Sequence, residues 1–246
     1  MLGSIFDRIA DILLLAPGIL WALTIHEFAH GWVAYKLGDP TAKMAGRLSL
    51  NPIRHLDPIG TLMLFIARIG WAKPVPINPR HFRDPRWGIF WTSFAGPGAN
   101  FINGAIIAVI LTLFIRFFGG GLYSYAIWPW YIELIYAVIF NAMFISFALG
   151  FFNLIPVPPL DGSNILWALL PDGPRQRFGL WISKAGRYIG IGILVIFALQ
   201  WVLGIPIFGI IFNIIIMPPV AFLVKVFTFY DLNHLWAVYS TIAGMG

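Results

Sequence analysis

Residues 19–38 read ILWALTIHEFAHGWVAYKLG. The stretch has the length and apolarity of a bilayer-crossing helix, yet His26, Glu27 and His30 lie in its middle. A charged residue at such depth costs several kcal/mol (~3 on insertion scales) unless it is paired or solvated. The chain has only two glutamates, Glu27 and Glu133, and one is placed here. His26 and His30 are i, i+4 neighbours, so both imidazoles leave one face of a helix. That is the spacing at which two ring nitrogens bind one zinc ion, with Glu27 beside the first as general base on a metal-activated water.

The rest of the chain agrees with a membrane setting. Of 246 residues 59% are hydrophobic and only 11% charged, whereas soluble domains carry about a quarter charged residues. Apolar runs recur at about 12–37 (span A), 89–118 (B), 131–154 (C), 188–205 (D) and 207–227 (E). The expected fold is therefore an all-α polytopic membrane protein with about five transmembrane helices. The net charge of +6 reflects basic loops beside anionic lipid, and no nucleic-acid motif accompanies it. Cysteine is absent, which excludes disulfides and thiolate metal sites. The N-terminal segment, with Asp7, Arg8 and Asp11, does not read as a cleavable signal.

Loop 38–88 is rich in Gly, Pro and Arg. Within it GTLMLFIARIGWA (60–72) is too short to cross about 30 Å of hydrocarbon and reads as a re-entrant or interfacial segment. KPVPINP (73–79) is held extended by its prolines. Counting cations orients the chain: eight of the sixteen Lys and Arg lie in loop 38–88 and four in loop 155–187. The positive-inside rule then places both loops in the cytoplasm and the N-terminus outside. At 1.5 Å per residue His26 lies roughly 21 Å along span A from Ile12, towards the cytoplasmic side. Asn153 ends span C at that same depth, and Asp161 follows it.

A catalytic zinc needs a third protein ligand and an open position. Asp161, in FFNLIPVPPLDGSN (151–164), is the candidate oxygen ligand. The broken backbone there is tolerable at membrane depth only inside protein or beside a wet cavity. The alternative for Asp161 is an N-cap of the helix beginning GSNILWALL. Asn153 either donates to a developing oxyanion or caps the broken helix. The histidines, in turn, are either ligands or buried rings satisfied by backbone or by each other. His55 and Asp57, in NPIRHLDP, divide between substrate contact and turn formation, with the Asn-Pro and Asp-Pro steps favouring the turn. His81 and His234 read as solvated.

HEFAH (26–30) and NLIPVPPLDG (153–162) together resemble the site-2 protease family of intramembrane zinc metalloproteases. GRLSLNPIRHLDPIGTLM (46–63), PVPINPRHF and AGPGAN (95–100) are similar to its bacterial branch, so the likeness covers roughly residues 20–170. The resemblance implies a three-helix catalytic core over 1–170 and one Zn2+ held by His26, His30 and Asp161. It implies Glu27 as general base and acid and Asn153 as oxyanion donor. It also implies an extended edge, Lys73, Pro74, Val75, Pro76, Ile77 and Asn78, that pairs with an unwound transmembrane substrate in the lipid bilayer. A β-like re-entrant segment would precede that edge. The location implied is the inner (plasma) membrane, multi-pass. Residues 171–246 fall outside the core match as an accessory region; a lateral gate is one role for it. No PDZ or CBS domain is present in the sequence. The GxxxG-like spacing Gly186–Gly190 is weak support for a homodimer. A metal transporter or sensor would need more polar residues along spans B, D and E than they offer. A chain that kept this fold without catalysis would have no reason to retain such polar groups.

Overall fold

The computed structural model describes residues 2–61, 72–118, 128–203, 209–210 and 212–242. Its first helix, α1 (Leu2–Lys36), ends in a turn at Gly38, whose φ of 108° is open to glycine. A short helix, α2 (Thr41–Met44), follows. Two 3-10 turns, Pro52–His55 and Pro79–His81, each begin after an asparagine whose side chain accepts a backbone N–H two residues on. The Asn51-Pro52 step thus builds the turn expected of it, and Asn78-Pro79 starts a second at the end of the extended 73–79.

The long helices come next. α3 (Pro85–Phe118) starts where the Asp84 carboxylate accepts the amides of Arg86 and Trp87. α4 (Trp130–Leu154) runs beside it. α5 (Asp161–Leu169), α6 (Asp172–Leu203), a π-turn at Phe212–Ile216, α7 (Met217–Thr228) and α8 (Leu232–Ile242) complete the order.

The core lies between α3 and α4. Tyr136, Phe140, Met143 and Phe147 recur at three or four residues along α4 and are fully buried. They meet Ala108, Leu111 and Ile115 of α3, and Val220 and Val224 of α7. Helices in a bilayer gain nothing from excluding water, so small residues that let backbones approach decide the packing. A Cβ on Gly104 would stand 2.7 Å from the Phe147 ring, and one on Gly18 would stand 3.0 Å from the Ala142 backbone.

Two of the described helices, Pro85–Phe118 and Trp130–Leu154, are long and apolar enough to cross a membrane. The pair Phe212–Thr228 and Leu232–Ser240 would make a third as one broken span, but it bends by 90°. Among the described residues this measure gives two or three crossings, and parts of the spans expected at 188–205 and 207–227 lie outside those residues. The described part of the last span is a π-turn and a helix, and Phe229 ends that helix in the left-handed conformation, φ 61°. Within the accessory region 171–246 lies the further helix α8. It buries Leu232, Leu235, Val238 and Tyr239 on the core, and Leu235 O accepts the Tyr136 hydroxyl at 2.9 Å. Much of the loop expected over 155–187 is helical, as α5 and the first half of α6. A Cβ on its Gly186 would touch Pro158 of the same chain at 3.5 Å.

Most of the expected re-entrant segment, residues 62–71, lies outside the described residues. At its edges Leu56 and Ala72 form a single antiparallel bridge, and Lys73 N–H reaches His55 O at 2.9 Å. Among the described residues there is no strand beyond that bridge, and 73–78 is extended without regular pairing.

Candidate metal centre

The two histidines of α1 stand one turn apart with their Nε2 atoms 3.0 Å from each other, their rings edge to face. Both are buried, at 4% and 7% exposure. Asp161 reaches them from the start of α5. Its Oδ2 lies 3.1 Å from His26 Nε2 and 3.2 Å from His30 Nε2. Asp161 makes no capping bond to its own helix, so the capping alternative fails.

Gly162 explains how the aspartate arrives. α4 stops at Leu154, and the proline-rich turn passes directly beneath the first residues of α5. A Cβ at Gly162 would fall 2.2 Å from Leu154 O and 2.5 Å from Ile155 O, contacts that only glycine avoids. Gly96 does the same for α3. A Cβ there would stand 2.5 Å from His30 Nε2 and 2.7 Å from His26 Cε1. The α3 backbone thus forms the wall behind both rings.

The far nitrogens of both rings are held by α3. His30 Nδ1 lies 2.7 Å from Thr92 O, which can only accept, so that nitrogen carries the proton and Nε2 keeps its lone pair. His26 Nδ1 lies 3.1 Å from the Asn100 amide. Asn100 is fully buried and its Oδ1 has no donor in the orientation given to the amide. Turning the amide over directs Oδ1 at His26 Nδ1–H, which satisfies the oxygen and frees Nε2 as a lone pair as well. Asp161 Oδ2 is likewise buried without a hydrogen-bond donor.

Three lone pairs therefore converge, and the three residues form a group able to hold a metal ion. Around a tetrahedral zinc with bonds near 2.05 Å, neighbouring ligand atoms stand about 3.3 Å apart. The observed spacings of 3.0, 3.1 and 3.2 Å fit that ion with little adjustment.

Glu27 is half-buried and its Oε2 accepts the Val75 amide at 2.8 Å. Asn153 is not brought to the three ligand atoms by any hydrogen bond; its Nδ2 donates to Leu149 O in its own helix at 3.0 Å. The extended residues 73–78 are fastened at three points. Lys73 is held by His55 O and by the Arg47 guanidinium on its carbonyl, Val75 by Glu27, and Asn78 N–H by Asp39 Oδ2 at 2.7 Å. His55 is buried on Ser49 O and Asp57 receives the Gly60 amide, so both build turns. His81 is exposed, as expected of a solvated residue, and it also pairs with Asp39 at 2.8 Å.

Sequence reasoning passed over Thr92, Gly96, Asn100, Arg47 and Asp39. Gly96 and Asn100 sit four apart in AGPGAN, a helical spacing that would have placed them on one face. Asp39 is fully buried and accepts from Thr41, Asn78 and His81. Burial pushes its carboxyl up, but hydrogen bonds from the Thr41 hydroxyl, the Asn78 amide and His81 outweigh that and hold it below 3.8.

Residues 14–197 match the model of Peptidase family M50. The chain is 39% identical over 179 residues to "Putative zinc metalloprotease YwhC" of Bacillus subtilis, spanning 73% of this chain and 77% of that protein. It is 28% identical over 189 residues to "Putative zinc metalloprotease Rip2" of Mycolicibacterium smegmatis, 75% of this chain and 67% of that protein. It is 26% identical over 200 residues to "Zinc metalloprotease MJ0392" of Methanocaldococcus jannaschii, 81% of this chain but 44% of that protein. No solved structure gives a significant match. The matched region contains HEFAH and the LDG aspartate in order, as the resemblance to site-2 proteases required, and the chain belongs to Peptidase family M50.

Proposed function

We propose that this M50 peptidase is an intramembrane zinc endopeptidase that hydrolyses a peptide bond within or beside a transmembrane helix of a substrate protein. The observation that carries the reading is the convergence of His26 Nε2, His30 Nε2 and Asp161 Oδ2 at 3.0–3.2 Å. Its support is the pair of α3 acceptors that set both rings for ligation, because ligating histidines take their tautomer from the partner on the other nitrogen.

In this reading His26, His30 and Asp161 hold one zinc ion. Bound there, zinc acidifies a water and polarises the scissile carbonyl. Glu27 takes the proton from the attacking water and returns it to the leaving amine. Its Oε2 is bonded to Val75, which leaves Oε1 for that transfer. Asn153 rotates away from Leu149 O to donate to the oxyanion. Lys73 to Asn78 receive the unwound substrate as an added strand, since a peptide bond inside a helix is shielded by its own hydrogen bonds. The free backbone groups between the three fastening points are the ones that would pair.

The catalytic part is residues 1–170, with 171–246 accessory. The enzyme sits in the inner (plasma) membrane, N-terminus outside, with the metal centre near the cytoplasmic face. Loop 38–88 lines the route by which water enters.

The test is a paired measurement in liposomes: zinc content and cleavage of a single-span substrate for wild type, Glu27→Gln and Asp161→Ala. Wild type should cut within the span, Glu27→Gln should hold zinc without cutting, and Asp161→Ala should lose zinc. Stoichiometric zinc with no cleavage across a substrate panel would instead favour a metal sensor.

A further inference from the structure

A second feature lies on the outer side of the α1–α3 pair. A groove of about 890 Å³ runs between the two helices, floored by Ala29 and Gly98 and walled by Ile25, Trp32, Ile102 and Ile106. None of His26, Glu27, His30 or Asp161 lines it. Its one amide side chain, Asn103, accepts from Trp21 Nε1 at 3.0 Å and donates to Ser146 Oγ at 2.8 Å. The groove therefore presents an apolar surface at membrane depth with its polar group already satisfied.

At its loop end the groove runs into a smaller pocket of about 310 Å³, and Lys36, Leu37 and Trp91 line both. The pocket adds Arg83, Trp87 and Asp84. Lys36 and Arg83 are exposed, and neither appears among the ion pairs of the described residues. The Asp84 carboxylate is bonded to the first amides of α3. Lys36 lies over the Trp32 ring at 5.6 Å, and indoles at this position mark a membrane–water boundary.

We propose that this continuous surface binds one anionic phospholipid, an acyl chain along the groove and the headgroup phosphate in the pocket lined by Lys36 and Arg83. Charge complementarity selects the headgroup, since two cations without carboxylate partners stand where the groove leaves the hydrocarbon. The separation from the metal ligands argues against a scissile segment as the occupant. A substrate helix lying there would have α3 between its peptide bonds and the centre. The lipid would buttress α1 on the side opposite its packing against loop 38–88. The inference rests on the membrane location and not on proteolysis, so the inactive Glu27→Gln chain reports on it equally well.

The experiment is native mass spectrometry of the full zinc-loaded chain released from detergent, with equal phosphatidylglycerol and phosphatidylcholine. Wild type should retain a single phosphatidylglycerol in preference to phosphatidylcholine. Lys36→Gln and Arg83→Gln should each reduce that preference about fivefold, the attraction of one basic side chain to an anionic surface. Gly98→Leu should abolish retention of either lipid by filling the groove. A Cβ at Gly98 meets only the Phe94 ring, at 3.4 Å, so the helix has room for the substitution. Unchanged zinc content in each variant reports an intact fold. No headgroup preference in wild type overturns the proposal without recourse to any variant. So does an undiminished preference in the double glutamine variant, or a photocrosslinker at Ile102 that captures a substrate helix while phosphatidylglycerol is present.

Discussion

The Glu27 carboxylate accepts the Val75 amide at 2.8 Å, across 48 residues of chain. The hydrogen bond joins the proposed general base to the middle of the proposed substrate edge. Substrate pairing along 73–78 and the position of the base are therefore mechanically linked. Glu27→Gln keeps an oxygen that can accept from Val75 but cannot take a proton. It should hold zinc at the wild-type level and lose about 10²–10⁴ in cleavage rate, read by metal analysis and a cleavage assay on one preparation. Substantial residual activity would remove Glu27 from the proton transfer.

Gly96 leaves no room for a side chain beside the two histidine rings. Gly96→Ala places a methyl 2.5 Å from His30 Nε2, so one ring must leave its position. Zinc content should fall well below stoichiometric, while Gly98→Ala, two residues on, should keep it. Full zinc in Gly96→Ala would show that the α3 wall yields.

Asn100 is a positioning residue for His26. Asn100→Leu removes the acceptor for Nδ1–H and should weaken zinc binding about 10–100-fold. Asn100→Asp retains an acceptor and should bind more nearly as wild type does. Competition against a chromophoric chelator measures both. Equal affinity in the leucine variant would mean that His26 takes its tautomer from elsewhere.

Asp39 ties the end of α1 to Asn78 and His81. Asp39→Ala takes the acceptor from the partly buried Thr41 and Asn78 donors and should cost about 1 kcal/mol, seen as earlier thermal unfolding in detergent. Its native carboxyl is held below 3.8. A depressed acid contributes stability that is complete above the unfolded pKa and is lost as pH falls through the folded one. The gap between wild type and Asp39→Asn should thus be constant from pH 7 to about 5. It should close only as pH falls through the folded value, and a gap already closed at about pH 5 would show that the Asp39 carboxylate does not carry the effect.

The readable parts of this chain were local ones. Hydropathy located α3 and α4 within a few residues, because a bilayer span must be continuous in sequence. It said less about the C-terminus. α7 and α8 are short and bent at Phe229, and α8 is amphipathic rather than uniformly apolar, so its burial depends on Tyr136 and Phe140 being opposite. The pairing of the exposed His81 was not legible, because its partner, Asp39, lies 42 residues earlier.

At the metal centre the sequence by itself determined the donor types and half the geometry. Helical periodicity alone puts His26 and His30 on one face, and the shortage of polar groups in a span makes their presence meaningful. Tertiary structure decided the rest. Whether Asp161 caps its helix or faces the rings depends on a turn that brings it across 131 residues to within 3.2 Å, which no local pattern contains. Asn100 and Thr92 acquire their roles only because Gly96 lets α3 lie against the rings. Spacing along one helix is fixed by covalent geometry, whereas contact between helices is fixed by how closely their backbones can pack.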